Sequence, residues 1–320
     1  MKGVIALYRR HPESPYHDVK ANTRRMYDES LDLLEKTVGA RVIGRLTGID
    51  IKRWHGNLKK PAKAGGPERV RRAYKAMQLL RIAMTFGAVC GHEECERLSS
   101  ILGKMRFEQP KRREKFVSYQ QSTAIIEEAL SRGLHSVALG QALQFELTLR
   151  QSEVIGSWEE DDGAGGGIVH LGRKWGDGLT WGHIDASGIL NKETTKRGVK
   201  ALHNVLASPV LMRLIDMVPQ EKRIGPMIIC ETTGRPYRYR HWAGTWRKIA
   251  NAVGVPADVW NRDSRAGGIT EGFDAGADLE TMRQHASHTD AAMTSHYNRL
   301  TVLKTEKVAK LRQAHRKKDE

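Results

Sequence analysis

The chain has little of several features that would place it in common protein classes. Among its 320 residues only three are cysteines, Cys90, Cys95 and Cys230, an odd number that argues against a disulfide framework. It contains no run of 18 apolar residues, and the apolar stretch in MKGVIALYRR is too short for a secretory signal. We therefore expect a soluble protein of a reducing compartment, the cytoplasm.

Acidic residues are also few relative to basic ones. The chain has 53 Lys and Arg against 37 Asp and Glu, which gives a formal net charge of +16 and a pI near 9.8. This exceeds what solubility requires and indicates a polyanionic partner. Nucleic acid is the first candidate and an acidic membrane surface the second, and the missing apolar runs weaken the second.

Sequence patterns divide the chain into two mainly helical parts. Residues 1–21 carry two prolines in YRRHPESPYHD and no periodicity, which predicts a flexible basic arm. Helical periodicity in NTRRMYDESLDLLEKTVG and ERVRRAYKAMQLLRIA predicts a basic, all-helical domain over 22–105. Proline and a charge run in RFEQPKRREKFVSYQQ predict a linker at 106–121.

A second domain is expected over 122–300. Helical patterns at both of its ends flank residues 163–205, where glycines and the short stretches LTWGHID, GILNKETTKRG and VKALHNVL alternate. These stretches predict short strands joined by turns, and so a small antiparallel sheet. The predicted fold class is therefore mainly α, with one small sheet in the second domain.

Three stretches of the second domain carry a chemical pattern in a fixed order. ALQFELTLRQSEVIGSW ends a helix in Leu-Arg, at Arg150, and TTKRG places Lys196 between two strand patterns. WNRDSRAGGITEGFDAGADLETMRQHASHTDAAMTSHY then contains Arg265, His288 and, nine residues further on, Tyr297. In this order the stretches resemble the tyrosine recombinase (phage integrase) family, and the resemblance covers roughly residues 120–300.

The resemblance implies a role for each matched residue. Arg150 and Arg265 would be the two catalytic arginines, His288 the later histidine of the site, and Lys196 the general acid on a hairpin. Tyr297 would be the nucleophile that forms a 3′-phosphotyrosyl link and leaves a free 5′-hydroxyl. No cofactor is implied, since the covalent intermediate keeps the bond energy and needs neither ATP nor metal.

The side chains suit that chemistry on physical grounds. A phosphodiester is anionic, so cleaving it without metal needs fixed cations that neutralise the charge growing in the transition state. Guanidinium forks meet two phosphate oxygens at once, which fits Arg150 and Arg265. A phenol with an ordinary pKa near 10 needs a cationic, partly dry pocket or a neighbouring base, and His288 is placed to help.

Two positions leave the predicted mechanism open. The family usually has His three residues before the second arginine, and here that position is Arg262. A guanidinium stays charged and cannot act as a base, so Arg262 would be a third cation in the site or a surface charge. Lys192 competes with Lys196 for the role of general acid.

Basic side chains outside the motif are candidate phosphate contacts. The helix pattern ERVRRAYKAMQLLRIA holds one group, and GRPYRYRHW, next to a helix start, holds another. Solvated helix faces are the ordinary alternative for both. The candidates are Arg69, Arg71, Arg72 and Lys75 in the first group and Arg235, Arg238, Arg240 and His241 in the second.

The resemblance also implies partners. A core-binding (SAM-like) first domain and a catalytic second domain would clamp double-stranded DNA at recombination sites, within a homotetramer on DNA. Accessory DNA-bending or directionality proteins are further candidate partners, and a gene carried by a mobile element would place the protein on a bacterial nucleoid. A C-terminal helix over 301–320 would either dock on a neighbouring protomer or pack against its own protomer. Its apolar face would be formed by Val302, Leu303, Val308 and Leu311.

Several other functions fit parts of the sequence. A DNA-binding protein of the same fold that has lost catalysis would explain Arg262, and a type IB topoisomerase shares the tyrosine and arginine chemistry. A metal-dependent nuclease or zinc-binding regulator would use the histidines. We expect no metal site, because neither His285, His288 and His296 nor Cys90, His92 and Cys95 have a further ligand at sensible spacing.

Overall fold

A computed structural model describes residues 1–161, 163, 165–195 and 198–298, together with positions 306, 309, 310, 312, 313 and 316. Its contacts divide the chain into two compact units, Met1–Arg113 and Glu114–Glu320. The division falls inside the segment 106–121 predicted as a linker. The four apolar residues of the predicted C-terminal helix lie outside the described residues, as does Lys196. No helix among the described residues is both long and apolar enough to cross a membrane.

The first unit, Met1–Arg113, is built of helices around one apolar core. Its helix α4 places Ala73, Ala76, Met77, Leu80 and Met84 in that core, and the helices α1, α2, α3 and α5 all contact it. Small alanines on this face let neighbouring helices approach closely. The helices are α1 (Lys2–Arg10), α2 (Ala21–Val38), α3 (Gly48–Lys59), α4 (Val70–Val89) and α5 (Glu93–Lys104).

The expectation of a flexible arm at residues 1–21 is wrong. Helix α1 buries Val4, Ile5 and Tyr8 in the core of the first unit, and the N-terminal ammonium donates a hydrogen bond of 2.6 Å to the Arg41 carbonyl oxygen. The Tyr8 ring also packs edge-on against Phe86, at 5.9 Å between centroids. The apolar face of a single nine-residue helix is enough to anchor the segment before the two prolines are reached.

The second unit, Glu114–Glu320, packs its helices around α7, which is buried on nearly every side. Helix α11 lies directly on α7 because Gly267 and Gly268 bring no side chain, and a Cβ atom at Gly268 would overlap the carbonyl oxygen of Phe145. Its helices are α6 (Tyr119–Ser131), α7 (His135–Glu146), α8 (Gln151–Ile155), α9 (Pro209–Asp216), α10 (Tyr239–Ala252), α11 (Ser264–Asp274), α12 (Leu279–His285) and α13 (Ala291–Ser295).

Antiparallel strands are more numerous than the sequence indicated. A three-stranded sheet has the order β1, β3, β2, and two further pairs join β4 to β5 and β6 to β7. The strand β1 lies before the predicted region 163–205, and the pair of β6 with β7 lies beyond it. The strands are β1 (Ser157–Glu160), β2 (Ile168–His170), β3 (Arg173–Gly176), β4 (Ile189–Glu193), β5 (Lys200–Asn204), β6 (Ile229–Cys230) and β7 (Arg235–Pro236).

A buried polar cluster fixes the start of α11. The Gln141 side-chain carbonyl oxygen on α7 accepts hydrogen bonds from the Trp246 indole at 2.8 Å and from the Ser264 hydroxyl at 3.0 Å. The Gln141 amide donates to the Ser122 hydroxyl at 3.0 Å. Buried polar groups that are fully bonded specify one arrangement, so this cluster sets where the residue after Ser264, Arg265, enters the unit.

Candidate active site

Arg150 stands at the start of α8, tied to a buried carboxylate. Its guanidinium donates to a Glu153 carboxylate oxygen at 2.7 Å, and its backbone N–H donates to the other at 2.8 Å. The Glu153 side chain is 1% exposed, whereas that of Arg150 is 24% exposed. A carboxylate buried behind a half-buried guanidinium orients that guanidinium and leaves part of it open to an anion.

Arg265, in the first turn of α11, is almost fully buried. Its guanidinium donates to the carbonyl oxygens of Thr148 and Ala286, from distant parts of the chain. Burial lowers its pKa to about 10, and the charge of Arg150 lowers it as well, while Glu153 and Tyr297 raise it. Arg265 thus stays cationic at neutral pH and lies within electrostatic range of both Arg150 and Tyr297.

His288 lies against Tyr297 with their rings nearly parallel. The ring centroids are 6.0 Å apart and the planes differ by 18°, while the His288 Nδ1 atom shares a hydrogen bond of 2.8 Å with the Thr294 hydroxyl. Burial lowers the pKa of His288 to about 3, followed by repulsion from Arg265, Arg150 and Arg283. The imidazole is therefore neutral at physiological pH, and the burial and positive charge around it make it a weak base in the absence of a bound anion.

Tyr297 follows α13 and is half-buried. Its ring packs against the small apolar cluster formed by Ile269, Phe273, Met282 and Ala286. Its backbone N–H donates to the Thr294 carbonyl oxygen at 3.0 Å, the same residue whose hydroxyl bonds His288. The structure thus gathers Arg150, Arg265, His288 and Tyr297 in one region of the second unit.

Arg262 takes a different position. It lies in the 3-10 turn Asn261–Asp263, with its guanidinium 4.2 Å from the centroid of the Trp260 ring. It lines a cavity that Gln151, the residue after Arg150, also lines. Arg262 is therefore next to the region of Arg150, and an aromatic face holds its guanidinium.

Of the two lysines that are candidates for the general acid, only Lys192 lies among the described residues. Lys196 falls between β4 and β5 and lies outside the described residues. Lys192 on β4 is buried, and its ammonium donates to the Gly178 carbonyl oxygen at 3.2 Å. Burial lowers the pKa of Lys192.

Sequence reasoning missed residues that hold the predicted ones in place. Glu153 follows Arg150 by three residues, the spacing of a helix capping pair, which is a signal that the sequence carries. Buried His203 and half-buried His285 form an edge-to-face pair at 4.9 Å between centroids. His285 is bonded to the Glu146 carbonyl oxygen at 3.1 Å. Contacts between residues so distant in sequence leave no local signal.

The candidate phosphate contacts lie in two regions, half-buried except for Arg71 in the first unit and exposed in the second. In the first unit, all four predicted cations line a groove of about 530 Å³, together with Glu29, Ser30 and Leu33; the cations are Arg69, Arg71, Arg72 and Lys75. Burial, and then the charge of Arg69, lowers the pKa of Arg72. In the second unit the predicted residues around the start of α10 are exposed; they are Arg235, Arg238, Arg240 and His241.

Metal-binding residues do not gather among the described residues. No three side chains of His, Cys, Asp or Glu lie there as a ligand group. Cys95, one of the three cysteines, is instead part of the apolar core of the first unit.

Solved structures share this architecture. No family model and no curated protein sequence matches the chain. A lambda integrase dimer bound to a COC′ core site aligns with a TM-score of 0.71 at 15% identity, over 93% of this chain and 95% of that one. The Tn1549 transposon integrase in complex with transposon right end DNA aligns with a TM-score of 0.65 at 13% identity, over 98% and 99%. A lambda integrase tetramer bound to a Holliday junction gives 0.69 at 13%, over 93% and 76%.

Identity this low establishes a shared fold and leaves the activity to be argued from the site. The predicted fold class, mainly α with a small antiparallel sheet, is confirmed by the helices and short strands and by these alignments over most of the chain. The chain has the tyrosine recombinase, or integrase, fold.

Proposed function

We propose that the protein is a site-specific DNA recombinase that uses Tyr297 to cleave and rejoin a DNA strand. The observation that carries this proposal is the grouping of Tyr297 with Arg150 and Arg265, while neutral His288 is stacked against the phenol ring. Two fixed guanidiniums near a phenol are what attack on a phosphodiester requires.

Side chains of this protein can account for each bond and each proton of the cleavage step. The Tyr297 phenol oxygen attacks phosphorus, and the bond from phosphorus to the 5′-oxygen breaks. The anionic phosphate held by Arg150 and Arg265 offsets part of the positive charge that lowers the pKa of His288. The imidazole then takes up the phenolic proton as the phenol oxygen bonds to phosphorus, and Lys196 supplies a proton to the leaving 5′-oxygen. Attack by the 5′-hydroxyl of a second strand reverses these steps and restores the tyrosine, so no metal or ATP is consumed.

Arg262 replaces the imidazole expected at its position with a permanent charge. We assign it as a third cation that attracts the phosphate and does not move a proton. The competing function is a DNA-binding protein of this fold without catalysis, and the same residue favours it because a guanidinium cannot act as a base. The experiment below separates the two.

The proposed substrate is duplex DNA, held by the groove of the first unit and the exposed basic residues near α10. An excess of 16 positive charges supplies attraction to phosphate that weakens with salt. The similar lambda and Tn1549 integrases were solved on DNA, one of them as a tetramer on a Holliday junction. A homotetramer that acts on two sites in the cytoplasm is the corresponding assembly for this chain.

Covalent trapping tests the proposal. The protein is incubated with a nicked or phosphorothiolate-bearing duplex taken from the ends of the element that carries the gene, and the products are separated under denaturing conditions. We expect a DNA-linked species that survives chelator, disappears in Tyr297→Phe and persists in Tyr119→Phe, a change of an exposed tyrosine on α6.

The other outcomes identify the alternatives. Specific binding without any adduct would show a DNA-binding protein that has lost catalysis. Relaxation of a supercoiled plasmid that lacks the site would indicate a topoisomerase. Cleavage that chelator abolishes would indicate a metal-dependent nuclease.

A further inference from the structure

A cavity of about 230 Å³ lies between one face of α10, the start of α8 and the turn before α11. Its wall includes three aromatic rings and two guanidiniums, from Tyr239, Trp246, Trp260, Arg247 and Arg262. Tyr239, Ala243 and Trp246 share one face of α10, since they are four and three residues apart. The chemistry of this wall is flat apolar surface combined with positive charge.

Two of these rings are exposed although the unit has a well-packed core. Tyr239 is 62% exposed and Trp260 is 45% exposed. The third ring, of Trp246, is buried and held by its indole bond to Gln141, so the floor of the cavity is fixed. Aromatic rings exposed at the mouth of a rigid cavity are placed to receive a planar ligand.

The guanidinium of Arg262 already shows how a planar group binds there. It lies 4.2 Å from the centroid of the Trp260 ring, a cation–π contact between two flat groups. The Trp260 backbone N–H donates to the Asp263 carboxylate at 2.7 Å, which anchors the turn that carries both residues. Trp260 therefore presents a firmly held ring face to a planar group.

The cavity adjoins the residues proposed to hold phosphate. Gln151 lines it and directly follows Arg150 in the chain. The groove of the first unit makes a useful contrast, because its lining of Glu29, Ser30, Leu33, three arginines and Lys75 includes no aromatic ring. The groove suits the DNA backbone alone, whereas the cavity suits a base whose phosphate lies close by.

We propose that this cavity is a subsite for one unstacked nucleobase of DNA, next to the phosphate that Arg150 contacts. The base displaces the Arg262 guanidinium from the Trp260 ring and stacks there and on Tyr239. The released guanidinium pairs with the phosphate of the same nucleotide. The inference rests on the proposed function for the position of the phosphate. The subsite also explains why position 262 is an arginine, since its guanidinium binds the nucleotide held there.

Photocrosslinking tests the subsite. The probe is an oligothymidylate with 5-bromodeoxyuridine in place of single thymidines, bound to the full chain carrying Tyr297→Phe, irradiated and mapped by mass spectrometry. We expect the crosslinks to map to the peptides that contain Tyr239 and Trp260. Crosslinks confined to other aromatic residues would overturn the proposal.

Affinity measurements on variants give a second readout. Trp260→Leu is expected to weaken binding of the oligothymidylate roughly tenfold, because a base loses its stacking partner, and to change binding of a non-specific duplex less than about twofold. Trp260→Phe keeps a ring and is expected to retain most of the affinity. Tyr119→Leu, at an exposed ring outside the cavity, is the control and should change nothing.

The outcomes separate this inference from the proposed function. Equal losses for single-stranded and duplex DNA in Trp260→Leu, or no loss for either, would contradict the subsite. A covalent adduct with crosslinks elsewhere would leave strand cleavage standing without the subsite. Crosslinks at Tyr239 and Trp260 without an adduct would leave a base-binding site in a protein that does not cleave. If Trp260→Leu does not fold, the crosslink map of the parent protein decides.

Discussion

The molecule holds its cations in two opposite ways. In the first unit, Arg69, Arg71, Arg72 and Lys75 line an open groove that includes a single carboxylate, from Glu29. In the second, Arg265 is buried with its guanidinium bonded to two backbone carbonyl oxygens. Burying a charge costs several kcal/mol unless it is well bonded, so a fold retains such a cation where orientation matters.

The contrast indicates a division of labour. Exposed cations attract phosphate from any sequence and lose that attraction as salt rises. Fixed cations in a partly dry site stabilise charge that develops in a transition state, because they need no reorganisation at that moment. We therefore expect substitutions in the groove to change affinity and substitutions at the buried site to change the rate of strand cleavage.

The largest expected effect comes from Arg265→Lys. An ammonium cannot bond the carbonyl oxygens of Thr148 and Ala286 in the geometry of the guanidinium fork and still face a phosphate. Adduct formation with a trapping substrate should slow by roughly 10²- to 10³-fold, while duplex affinity stays within about threefold. Arg235→Lys, an exposed change in the same unit, is the control. If Arg265→Lys lowered the rate and the affinity by the same factor, Arg265 would act on DNA binding in the same way as the cations of the groove.

Acid pH should weaken the second unit through its buried histidines. Burial lowers the pKa of both His288 and His203 to about 3, helped by nearby arginines and, for His203, by His285. The unfolded chain takes up these protons below its ordinary pKa of about 6.5, and the folded unit does not. The stability they contribute is therefore complete above pH 6.5 and is lost as pH falls toward 3, by on the order of 2 kcal/mol for each histidine at pH 5.

Urea unfolding at pH 7 and pH 5 measures this effect. His203→Leu removes one of the two groups, so its loss of stability between these values should be smaller than that of the unaltered chain by about 2 kcal/mol. Equal losses in the two proteins would show that the imidazole of His203 is not kept neutral by the fold.

The next largest effect concerns stability and comes from the close packing of α11, which carries Arg265, against α7. A Cβ atom at Gly268 would overlap the Phe145 carbonyl oxygen, so Gly268→Ala should push α11 from α7 and cost about 1–3 kcal/mol of unfolding free energy. Gly244→Ala on α10 adds a methyl group where nothing lies within 4 Å, and a gain of up to about 1 kcal/mol is expected. Thermal or urea unfolding compares the pair. Similar values would argue against the close contact of α11 and α7.

The smallest effect is expected in the groove. Arg71→Ala should weaken duplex binding several-fold and reduce the slope of log affinity against log salt by about 0.9, the value for one lost phosphate contact. The rate of adduct formation at saturating DNA should not change. A slope that stays the same would show that Arg71 does not contact phosphate.

Local patterns were enough to predict part of this structure. Arg265, His288 and Tyr297 lie on one continuous run of chain from α11 to the turn after α13, so their spacing in the sequence carried a local signal. Helical periodicity likewise predicted most helices, since one face of each is apolar. The flexible arm was a wrong prediction because two prolines dominated the interpretation of a segment whose first ten residues contain a helix.

What the sequence did not predict depends on distant partners. The pairing of β6 with β7 involves two residues in each strand, too few to give a pattern. The cavity around Trp260 needs α8, α10 and the turn before α11 to meet, and the pair of His203 with His285 needs β5 to lie against α12. Each is decided by packing of the whole unit and by no local propensity.

Peptide mapping of the trapped DNA complex identifies the nucleophile. After digestion of the protein and most of the DNA, mass spectrometry locates the residue that carries the nucleotide through its phosphate. We expect a single nucleotide-bearing residue, Tyr297, joined through its phenol oxygen to a 3′-phosphate. A nucleotide on any other residue, or on the 5′ side of the break, would contradict it.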